Sequence, residues 1–568
     1  MPRFQRFDLQ DDEIHTEREL KRRWAQFHDS IRIRSGNPLH QFIGRMLGEN
    51  TLRYKVARFF GRPLLKVARI LKGQNPNVAP KSTSSLGHTF FPLNYRPREL
   101  PVFEASSPTS QMVDEVTAIA VDETVDSPSK IIDQLNEVLN STSTPWLFLH
   151  DVSLAREEVR QVIAVLLDGV GDRDDVVFAD ETGPNPATPI LKSPSVGPHT
   201  LLSYNVVGRP ALLRVAKLRS LGGFSSGAGW AFEHDAYLRL SEIGATFHHV
   251  PLVVASGRPP IAFTSEHIDV DSCRVVRAAL DRRGWSGSVE PGALSGLVSW
   301  KLDPPSPAPS IDIIIPTRDR LDLVRQCIEA VESVSTYPNF DVIILDNDSK
   351  DPATLEYLAT TKYRVVACPG PFNYAHIVNR GVAQSHADYV VTLNNDTIVI
   401  AADWLERMVS LAALPDVGVV GGRLIDQDGR NEHESIVISP YPQHLRSDSN
   451  DPHQDHFVLS TRDVAAVTGA VQMVRREFWA SLGGMDEQLR VVMNDVDLCL
   501  RSQLEGRHVV YSPDVKLFHH VSSSRGTLDP LEDRNRFIRR WDIFGSFQDP
   551  YFPESILLLG EKVFFRHR

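Results

Sequence analysis

The feature that most constrains the fold is a short hydrophobic run, residues 389–393, that ends abruptly in Asn394, Asn395 and Asp396. A run of apolar and β-branched residues of this length predicts a buried strand. Ligands of open α/β sheets bind just beyond the carboxyl ends of the strands, so a carboxylate there can hold a metal ion against a phosphate. The alternative is a simple turn, because asparagine and aspartate favour turns.

The residues before this run alternate between strand and helix patterns. Residues 311–315 predict a strand, residues 321–334 a helix, and residues 342–345 a second strand that ends in Asp346. Alternation at this spacing predicts βαβ units and a parallel sheet. The proline-rich segment 301–309 before them is interpreted as a linker between domains.

Composition narrows the class of protein. The chain has 568 residues, 42% of them hydrophobic, which is enough for more than one core. Its net charge of −11 argues against nucleic acid as a partner. The scattered cysteines predict reduced thiols in the cytosol. They are Cys273, Cys327, Cys368 and Cys499. We find no signal peptide and no apolar run long enough to span a bilayer, and we expect a cytoplasmic chain.

Charge is uneven along the chain. Residues 31–80 contain ten basic residues and a single acid, Glu49, with hydrophobic residues between them. This pattern predicts either an amphipathic helix on the cytoplasmic face of the inner membrane or a helix packed on the protein with a solvated face. Peripheral membrane contact through residues 31–80 is therefore one of two interpretations.

Two parts of the chain share a divergent pattern, in which a Gly-Gly turn precedes two acids in a predicted helix. The first copy comprises residues 220–224 with Glu233 and Asp235, and the second comprises residues 481–485 with Asp495 and Asp497. A pattern that recurs in this way predicts that one architecture occurs twice.

Asp396 needs partners, because one carboxylate holds a divalent cation weakly. Two downstream groups are candidates: the acids Asp495 and Asp497 at the start of a predicted helix, and the pair His519 and His520 after a predicted strand. Carboxylates in a first helical turn also act as caps, and for Asp497 we prefer that explanation.

An ordered set of motifs runs through the second part of the chain. The motifs are residues 315–317, 346–349, 379–381, 394–396, 468–470 and 494–497, followed by His519. At this spacing they make residues 310 to about 525 resemble a family-two glycosyltransferase of the GT-A fold. The set is specific, whereas no single member of it is.

The resemblance implies a substrate site built from several of these motifs. Its predicted residues are Thr317, Asp346, Asn379, Asn394, Asn395 and Gly469. The first two would line the nucleotide pocket, with Asp346 accepting a hydrogen bond from the base. Asn379 would lie near the diphosphate or ribose, and the two consecutive asparagines beside the donor sugar.

The resemblance also implies a metal site and a general base. Asp396 and His519 would ligate Mg²⁺ or Mn²⁺ that bridges the diphosphate, and Asp495 would deprotonate the acceptor. Asn394 departs from the more common Asp-x-Asp pattern, so we expect weaker metal affinity without loss of the site.

The implied fold is α/β, a GT-A Rossmann-like and mostly parallel sheet that is present twice with the first copy truncated. In the first copy Val152 stands in the place of Asp396, and Ser256 or Gly257 in the place of His519. We therefore predict a non-catalytic module for acceptor glycan binding or domain packing. The acids after its Gly-Gly turn leave a second active site as the alternative.

The predicted organisation has five parts. They are a basic helical region at 1–80, a degenerate GT-A-like domain at 81–300, the linker at 301–309, the catalytic domain at 310–525 and a helical extension at 526–568. In the extension we predict helices over residues 529–541 and 555–565.

The predicted function is metal-dependent inverting transfer of a sugar from a nucleotide-diphosphate donor to a growing surface polysaccharide. The acceptor would be a glycan or lipid-linked glycan, and the donor sugar a deoxyhexose such as rhamnose. One alternative is a non-enzymatic glycan-binding scaffold. Another is a sugar nucleotidyltransferase, which should carry a glycine-rich loop after its first strand, but residues 317–321 contain no glycine.

Overall fold

A computed structural model describes residues 113–565 apart from several short gaps. The gaps are 123–126, 152–153, 155, 169, 182–191, 255–265, 440, 446–455, 457, 521–529, 545, 555 and 560–561. The basic segment 31–80 and the residues Val152, Ser256 and Gly257 lie outside the described residues, so the predictions made on them stay predictions.

Residues 113–302, here the first module, contain a five-stranded sheet with helices around it. Its strands are β1 (Val116–Val121), β2 (Trp146–Asp151), β3 (Val176–Glu181), β4 (Ala211–Arg214) and β5 (Phe247–Val254). Its helices are α1 (Pro128–Ser141), α2 (Arg156–Asp168), α3 (Pro198–Ser203), α4 (Val215–Ser220), α5 (Phe232–Glu242) and α6 (Glu266–Arg283). A hairpin of β6 (Gly287–Pro291) and β7 (Val298–Leu302) follows.

Residues 311–520, here the second module, contain a ten-stranded sheet and a small hairpin. The strands are β8 (Ile311–Thr317), β9 (Phe340–Asp346), β10 (Arg364–Ala367), β11 (Tyr389–Leu393), β12 (Thr397–Val399), β13 (Val417–Ile425), β14 (Asn431–His433), β15 (Ser435–Ile438), β16 (Pro442–Leu445), β17 (Arg462–Asp463), β18 (Val471–Arg475) and β19 (His508–His519). The helices are α7 (Leu321–Val334), α8 (Pro352–Thr360), α9 (Tyr374–Val382), α10 (Trp404–Ala412), α11 (Arg476–Ser481) and α12 (Asn494–Leu504).

The large sheet follows the order β10-β9-β8-β11-β18-β13-β19-β12. Its first four strands are parallel, as the βαβ pattern predicts, and β18 then runs antiparallel to both of its neighbours. Every residue of β11 is buried, in agreement with its apolar and β-branched sequence. The predicted α/β class is therefore present, in a mixed sheet.

The two modules share strand order and direction. In the first module the order is β1-β2-β4-β3-β5, with β4 antiparallel to both neighbours and the outer pairs parallel. In the second module β8-β11-β18-β13-β19 repeats this order and these directions. Among the described residues, the first module has no counterpart of β9 and β10.

A side-chain contact recurs at the same place in both modules. Asn136 on α1 donates to the carbonyl of Phe224 at 2.9 Å and accepts from its amide at 2.8 Å. Asn379 on α9 does the same with Met485, at 2.8 and 2.9 Å. In each case the partner follows a pair of glycines with positive φ, a conformation that favours glycine.

A second recurring contact ties the following helix to that turn. Arg239 binds Asp235 and the carbonyls of Leu221 and Gly223. In the second module Arg501 binds Asp497 and the carbonyls of residues 482 and 484. Both arginines lie four residues after their aspartate, so each pair is one helical turn apart.

The carboxyl-terminal extension is only partly helical. Helix α13 (Leu531–Trp541) lies within the first predicted helix. The second prediction, a helix over residues 555–565, is wrong, because β20 (Ile556–Leu559) and β21 (Lys562–Phe565) pair as a two-stranded sheet. The segment is rich in leucine, valine and phenylalanine, and phenylalanine and valine favour strands. Within the described part of the chain, no helix combines the length and hydrophobicity that a membrane span requires.

Candidate active site

Polar residues gather where β8, β9 and β11 end, here called the site edge. Thr317 and Asp346 are partners in the register of β8 and β9, and both end their strands. Asn395, just after β11, donates from Nδ2 to the Thr317 hydroxyl at 3.0 Å. The structure therefore brings Thr317, Asp346 and Asn395 together at the edge where α/β sheets bind ligands.

Asp396 faces His519 across the same edge. Strand β12, which begins directly after Asp396, pairs antiparallel with β19, and its first residue, Thr397, is in register with His519. The two side chains come together there, with 3.4 Å between His519 Nε2 and Asp396 Oδ1. The backbone reinforces this pairing, since the amide of His520 donates to the carbonyl of Asp396 at 2.8 Å. Asp396 is only 3% exposed.

Glu432, on β14, also contacts His519, although no motif indicated it. Its Oε2 lies 2.8 Å from Nδ1 of His519, opposite the nitrogen that faces Asp396. Although burial opposes a charge on the ring, hydrogen bonds to Asp396 and Glu432 raise the pKa of His519 to about 9. Glu432 is 87 positions from His519 in sequence and belongs to no motif, so only the fold reveals it.

This arrangement fits a divalent metal ion. A histidine that ligates a metal through one ring nitrogen usually donates from the other to a carboxylate, which fixes the ring and its tautomer. Glu432 is placed to accept that hydrogen bond, leaving Nε2 of His519 and Oδ1 of Asp396 directed at one another. The residues at this point therefore suit an ion that also takes oxygen ligands from phosphate.

Asp495 lies in the first turn of α12 and contacts the start of β18. Its Oδ2 accepts a hydrogen bond from the amide of Gly469 at 2.8 Å. The hydroxyl of Tyr374 then links the carbonyl of Gly469, at 3.0 Å, to Oδ1 of Asn394, at 3.5 Å. Asp495 and Gly469 are thus joined through two contacts to the residues that follow β11. Tyr374 is a second residue that the motifs did not indicate.

A strained residue sets the start of the Asp495 helix. Met493 precedes α12 with φ +67°, in the left-handed region that side chains other than glycine rarely adopt. Such conformations persist where the surrounding structure fixes them, and they concentrate at functional sites. The strained residue therefore lies two positions before Asp495, at the start of the helix that carries it.

Asp497, two residues later, has a structural role. Its side chain is fully buried and binds Nε of Arg501 at 2.8 Å, Nη1 of Arg540 at 2.8 Å and the Trp541 indole at 3.0 Å. These partners come from its own helix and from α13, away from the site edge. The predicted role of Asp497 as a helix cap is wrong, because its carboxylate binds two arginines and an indole, and no side-chain hydrogen bond from the N-cap residue caps the start of α12.

Asn379 does not join the other predicted substrate residues. Both ends of its amide bind the backbone of Met485, and Nδ2 also donates to Glu487 at 3.2 Å. These contacts occupy the amide on both sides, and the contact with the diphosphate or ribose stays a prediction. The motif was correctly located, but its asparagine holds the Gly-Gly turn, as Asn136 does in the first module.

The fold and the site edge together are those of an α/β domain with a ligand site at the carboxyl ends of its parallel strands. Comparison with known proteins gives the family of this domain. Residues 312–480 match the model described as Glycosyl transferase family 2. The chain therefore contains a family 2 glycosyltransferase domain. The match confirms the family predicted from the motifs and, with the sheet described above, the GT-A class of fold.

Relatives extend the similarity beyond that domain. The chain is 33% identical over 383 residues to the uncharacterized protein y4gI of Sinorhizobium fredii, covering 63% of this chain and 42% of that protein. It is 31% identical over 411 residues to the O-antigen biosynthesis protein RfbC of Myxococcus xanthus, covering 67% of this chain and 31% of that protein. The chain thus spans less than half the length of either relative.

A shorter relative and a solved structure complete the comparison. Over 222 residues the chain is 25% identical to N-acetylglucosaminyl-diphospho-decaprenol L-rhamnosyltransferase of Mycobacterium tuberculosis, covering 34% of this chain and 71% of that protein. Among solved structures, the chain is similar to the mannosyltransferase PcManGT from Pyrobaculum calidifontis, solved with GDP-Man and Mn²⁺. The alignment has a TM-score of 0.31 and 21% sequence identity, and it covers 39% of this chain and 60% of that chain.

Proposed function

We propose that this protein is a metal-dependent inverting glycosyltransferase that moves a sugar from a nucleotide-diphosphate donor to a growing surface polysaccharide. One observation carries the proposal: the Asp396–His519 pair and the Asp495 carboxylate are built around the same sheet edge. Two of the similar proteins are named for O-antigen biosynthesis and rhamnosyl transfer, which supports a glycan acceptor and a deoxyhexose donor such as rhamnose.

The proposed roles are those that the resemblance implies, and the positions of these residues at the site edge support them. Asp346 and Thr317 would bind the nucleoside, while Asn394 and Asn395 would contact the donor sugar. Asp396 and His519 would hold Mg²⁺ or Mn²⁺. A bound divalent ion supplies charge neutralisation for the leaving diphosphate.

Asp495 would act on the acceptor. Its carboxylate takes the proton of the acceptor hydroxyl as the hydroxyl oxygen bonds to the anomeric carbon. The bond from that carbon to the diphosphate breaks on the opposite face, so the nucleoside diphosphate leaves and the configuration inverts. The Gly469 amide, hydrogen-bonded to Oδ2, fixes the orientation of this carboxylate.

We further propose that the first module is a degenerate copy without catalytic activity. The shared strand order, the repeated asparagine contact and the repeated arginine contact support a common origin. Counting back from Arg239 and Arg501, Glu233 takes the place of Asp495. Glu233 forms a buried ion pair with Arg209, which leaves it poorly suited to accept a proton from a substrate.

One experiment tests these proposals. The protein is incubated with a panel of nucleotide sugars, Mn²⁺ and candidate acceptors, and nucleoside diphosphate release is measured for wild type, Asp396→Ala and Asp495→Ala. We expect release from wild type and loss in both variants. Equal release from all three would contradict both assignments and favour a second site. Pyrophosphate would indicate a nucleotidyltransferase, and no release with any donor a glycan-binding scaffold.

Cytoplasmic location and membrane contact through residues 31–80 are also proposals. The support is compositional, namely the excess of basic residues among hydrophobic ones in that segment. Flotation with anionic liposomes, with and without the segment, provides the test. Equal flotation of the two proteins would refute the contact.

A further inference from the structure

A group of histidine and aspartate side chains, residue types that ligate metals, lies away from the site edge. His199 on α3 of the first module meets Asp463 on β17 and His508 at the start of β19, both in the second module. Nδ1 of His199 lies 2.8 Å from Asp463 Oδ1, and Nδ1 of His508 lies 3.1 Å from the same oxygen. We call these three residues the intermodule cluster. The side chains of His199 and Asp463 are fully buried, and that of His508 is 26% exposed.

The Asp463 carboxylate is fixed so that one oxygen faces the two imidazoles. Its Oδ2 accepts hydrogen bonds from the amides of His199 at 2.9 Å and Thr200 at 3.0 Å. The fit is tight, because a Cβ on Gly197 would lie 2.1 Å from that oxygen. Metal sites typically hold their ligating carboxylates by hydrogen bonds of this kind.

The positions of protons in the cluster call for an additional positive charge. Nε2 of His199 is buried without a hydrogen-bond partner and lies 3.9 Å from Oδ1 of Asp416, which also has none. A neutral imidazole carries one proton. If the proton is on Nδ1, the lone pair of Nε2 faces Asp416, and if it is on Nε2, the lone pair of Nδ1 faces Asp463. Either neutral tautomer sets a lone pair against a carboxylate, and a second proton or a metal ion on the ring would remove that conflict.

The charge of Asp463 is balanced within the cluster and not by a lysine or an arginine of the described residues. Among the ion pairs of the described residues, Asp463 has only the two histidines as partners and no lysine or arginine. A buried carboxylate of this kind needs a cation close by. A metal ion between Nδ1 of His199, Nδ1 of His508 and Oδ1 of Asp463 would meet that need and allow Nε2–H of His199 to point toward Asp416.

We propose that the intermodule cluster binds a divalent transition-metal ion of the Zn²⁺ type, separate from the ion of the donor site. Two imidazoles and one carboxylate suit Zn²⁺, whereas Mg²⁺ and Ca²⁺ prefer oxygen ligands. Ligand bonds of about 2.1 Å separate neighbouring ligand atoms by roughly 3.0 to 3.4 Å. The observed 2.8 and 3.1 Å need only a small expansion.

The bound ion would fasten the two modules to each other. His199 comes from the first module, while Asp463 and His508 come from neighbouring strands of the second, which pair with each other. The partial exposure of His508 leaves one side on which water can complete the coordination. The role assigned to this ion is structural, because none of its ligands belongs to the site edge.

The test uses the tag-free full chain carrying Asp396→Ala, which removes a ligand of the donor-site metal. The protein is stripped with a chelator and exposed to Zn²⁺ or Co²⁺ alone. We expect one retained equivalent of Zn²⁺, visible Co²⁺ absorption typical of a low-coordinate nitrogen and oxygen site, and a higher melting temperature with Zn²⁺. Adding His508→Ala should weaken binding at least tenfold. Adding His248→Gln, on a partly exposed histidine of the first module, should change nothing.

Two results would overturn the proposal. One is absence of retained metal and of the Co²⁺ spectrum in the Asp396→Ala protein, which would make the cluster a hydrogen-bonded histidine pair. The other is equal binding with and without His508→Ala, which would place the metal elsewhere. If His508→Ala does not fold, His508→Gln replaces it. The Co²⁺ spectrum of the Asp396→Ala protein then still shows whether the cluster binds metal.

Discussion

Glu432 and His519 meet at 2.8 Å on the side of the imidazole ring that faces away from Asp396. The contact fixes which nitrogen of His519 is presented to the donor site. A carboxylate that accepts the hydrogen bond of a metal-ligating histidine typically increases metal affinity by about 10- to 100-fold. Glu432 is therefore a positioning residue in the proposed mechanism.

We expect Glu432→Gln to weaken Mn²⁺ binding by about 10- to 100-fold while leaving the fold intact. Titration of Mn²⁺ against nucleoside diphosphate release, with direct binding by electron paramagnetic resonance, measures the effect. Glu487→Gln is a matched control, because Glu487 makes a similar 2.9 Å contact with His376 on the protein surface. Equal affinity in Glu432→Gln and wild type would contradict the assignment.

We expect Asp495→Asn to lower kcat by about 10²- to 10⁴-fold, the usual contribution of a general base. The amide keeps the size of the side chain and an oxygen for the Gly469 amide, so the KM for the donor should change little. Steady-state kinetics at saturating Mn²⁺ separates the two quantities. A rise in the donor KM with unchanged kcat would assign Asp495 to donor binding instead.

Asp497→Asn should act on stability. Removing one charge from a buried ion pair costs about 3 to 5 kcal/mol, because the partner is left without compensation. Here the partners are Arg501 and Arg540. Urea unfolding followed by fluorescence measures the loss, with Asp495→Asn as the comparison. An Asp497→Asn protein of normal stability would refute the structural role.

The Gly-Gly turn offers a test of packing against Asn379. Gly483 and Gly484 both have positive φ, but only at Gly484 would a Cβ meet another atom, 2.5 Å from Asn379 Oδ1. Gly483→Ala should cost about 1 to 2 kcal/mol for the backbone alone. Gly484→Ala should cost about 1 to 3 kcal/mol more for overpacking. Urea unfolding of both variants gives the difference, and equal losses would contradict the close approach.

Stability should also depend on pH through His234 in the first module. Burial lowers the pKa of His234 to about 4, although a hydrogen bond to Leu201 opposes the shift. Since the unfolded chain binds the proton more readily, this group destabilises the fold as pH falls from 6.5 toward 4. The loss between pH 7.5 and pH 5 should be about 2 kcal/mol.

Comparing wild type with His234→Gln in urea at pH 7.5 and pH 5 isolates this group from the other titrating residues. The variant should be less stable at pH 7.5, and its deficit should shrink at pH 5. A deficit that does not change with pH would show that His234 does not titrate in this range. His248→Gln, on a partly exposed histidine, serves as the control.

The sequence predicted those features that depend on neighbouring residues alone. Strand β11 was predictable from its hydrophobic residues, and the position of Asp396 followed from the end of that strand. Asp495 and Asp497 lie in the same helical turn, so their local sequence does not distinguish their roles. Only the resemblance to a known family assigned the general base to Asp495. Their difference arises from tertiary partners, Gly469 in one case and Arg540 in the other.

Other features depend on contacts between distant segments and left no local signal. Glu432 reaches His519 only because β13 pairs with both β14 and β19. Asn379 matched a motif, but its amide is used by Met485, 106 positions away. The intermodule cluster likewise joins His199 to Asp463 across 264 positions.

The contacts of α13 limit where this chain can be shortened. Arg540 and Trp541 reach back to Asp497, in the helix that also carries Asp495. A fragment that stops at residue 480, where the family match ends, would lack this helix altogether. One that stops at 525, the predicted domain boundary, would keep the helix and lose both partners. The smallest fragment that retains the helix of Asp495 with its supports therefore extends at least to Trp541.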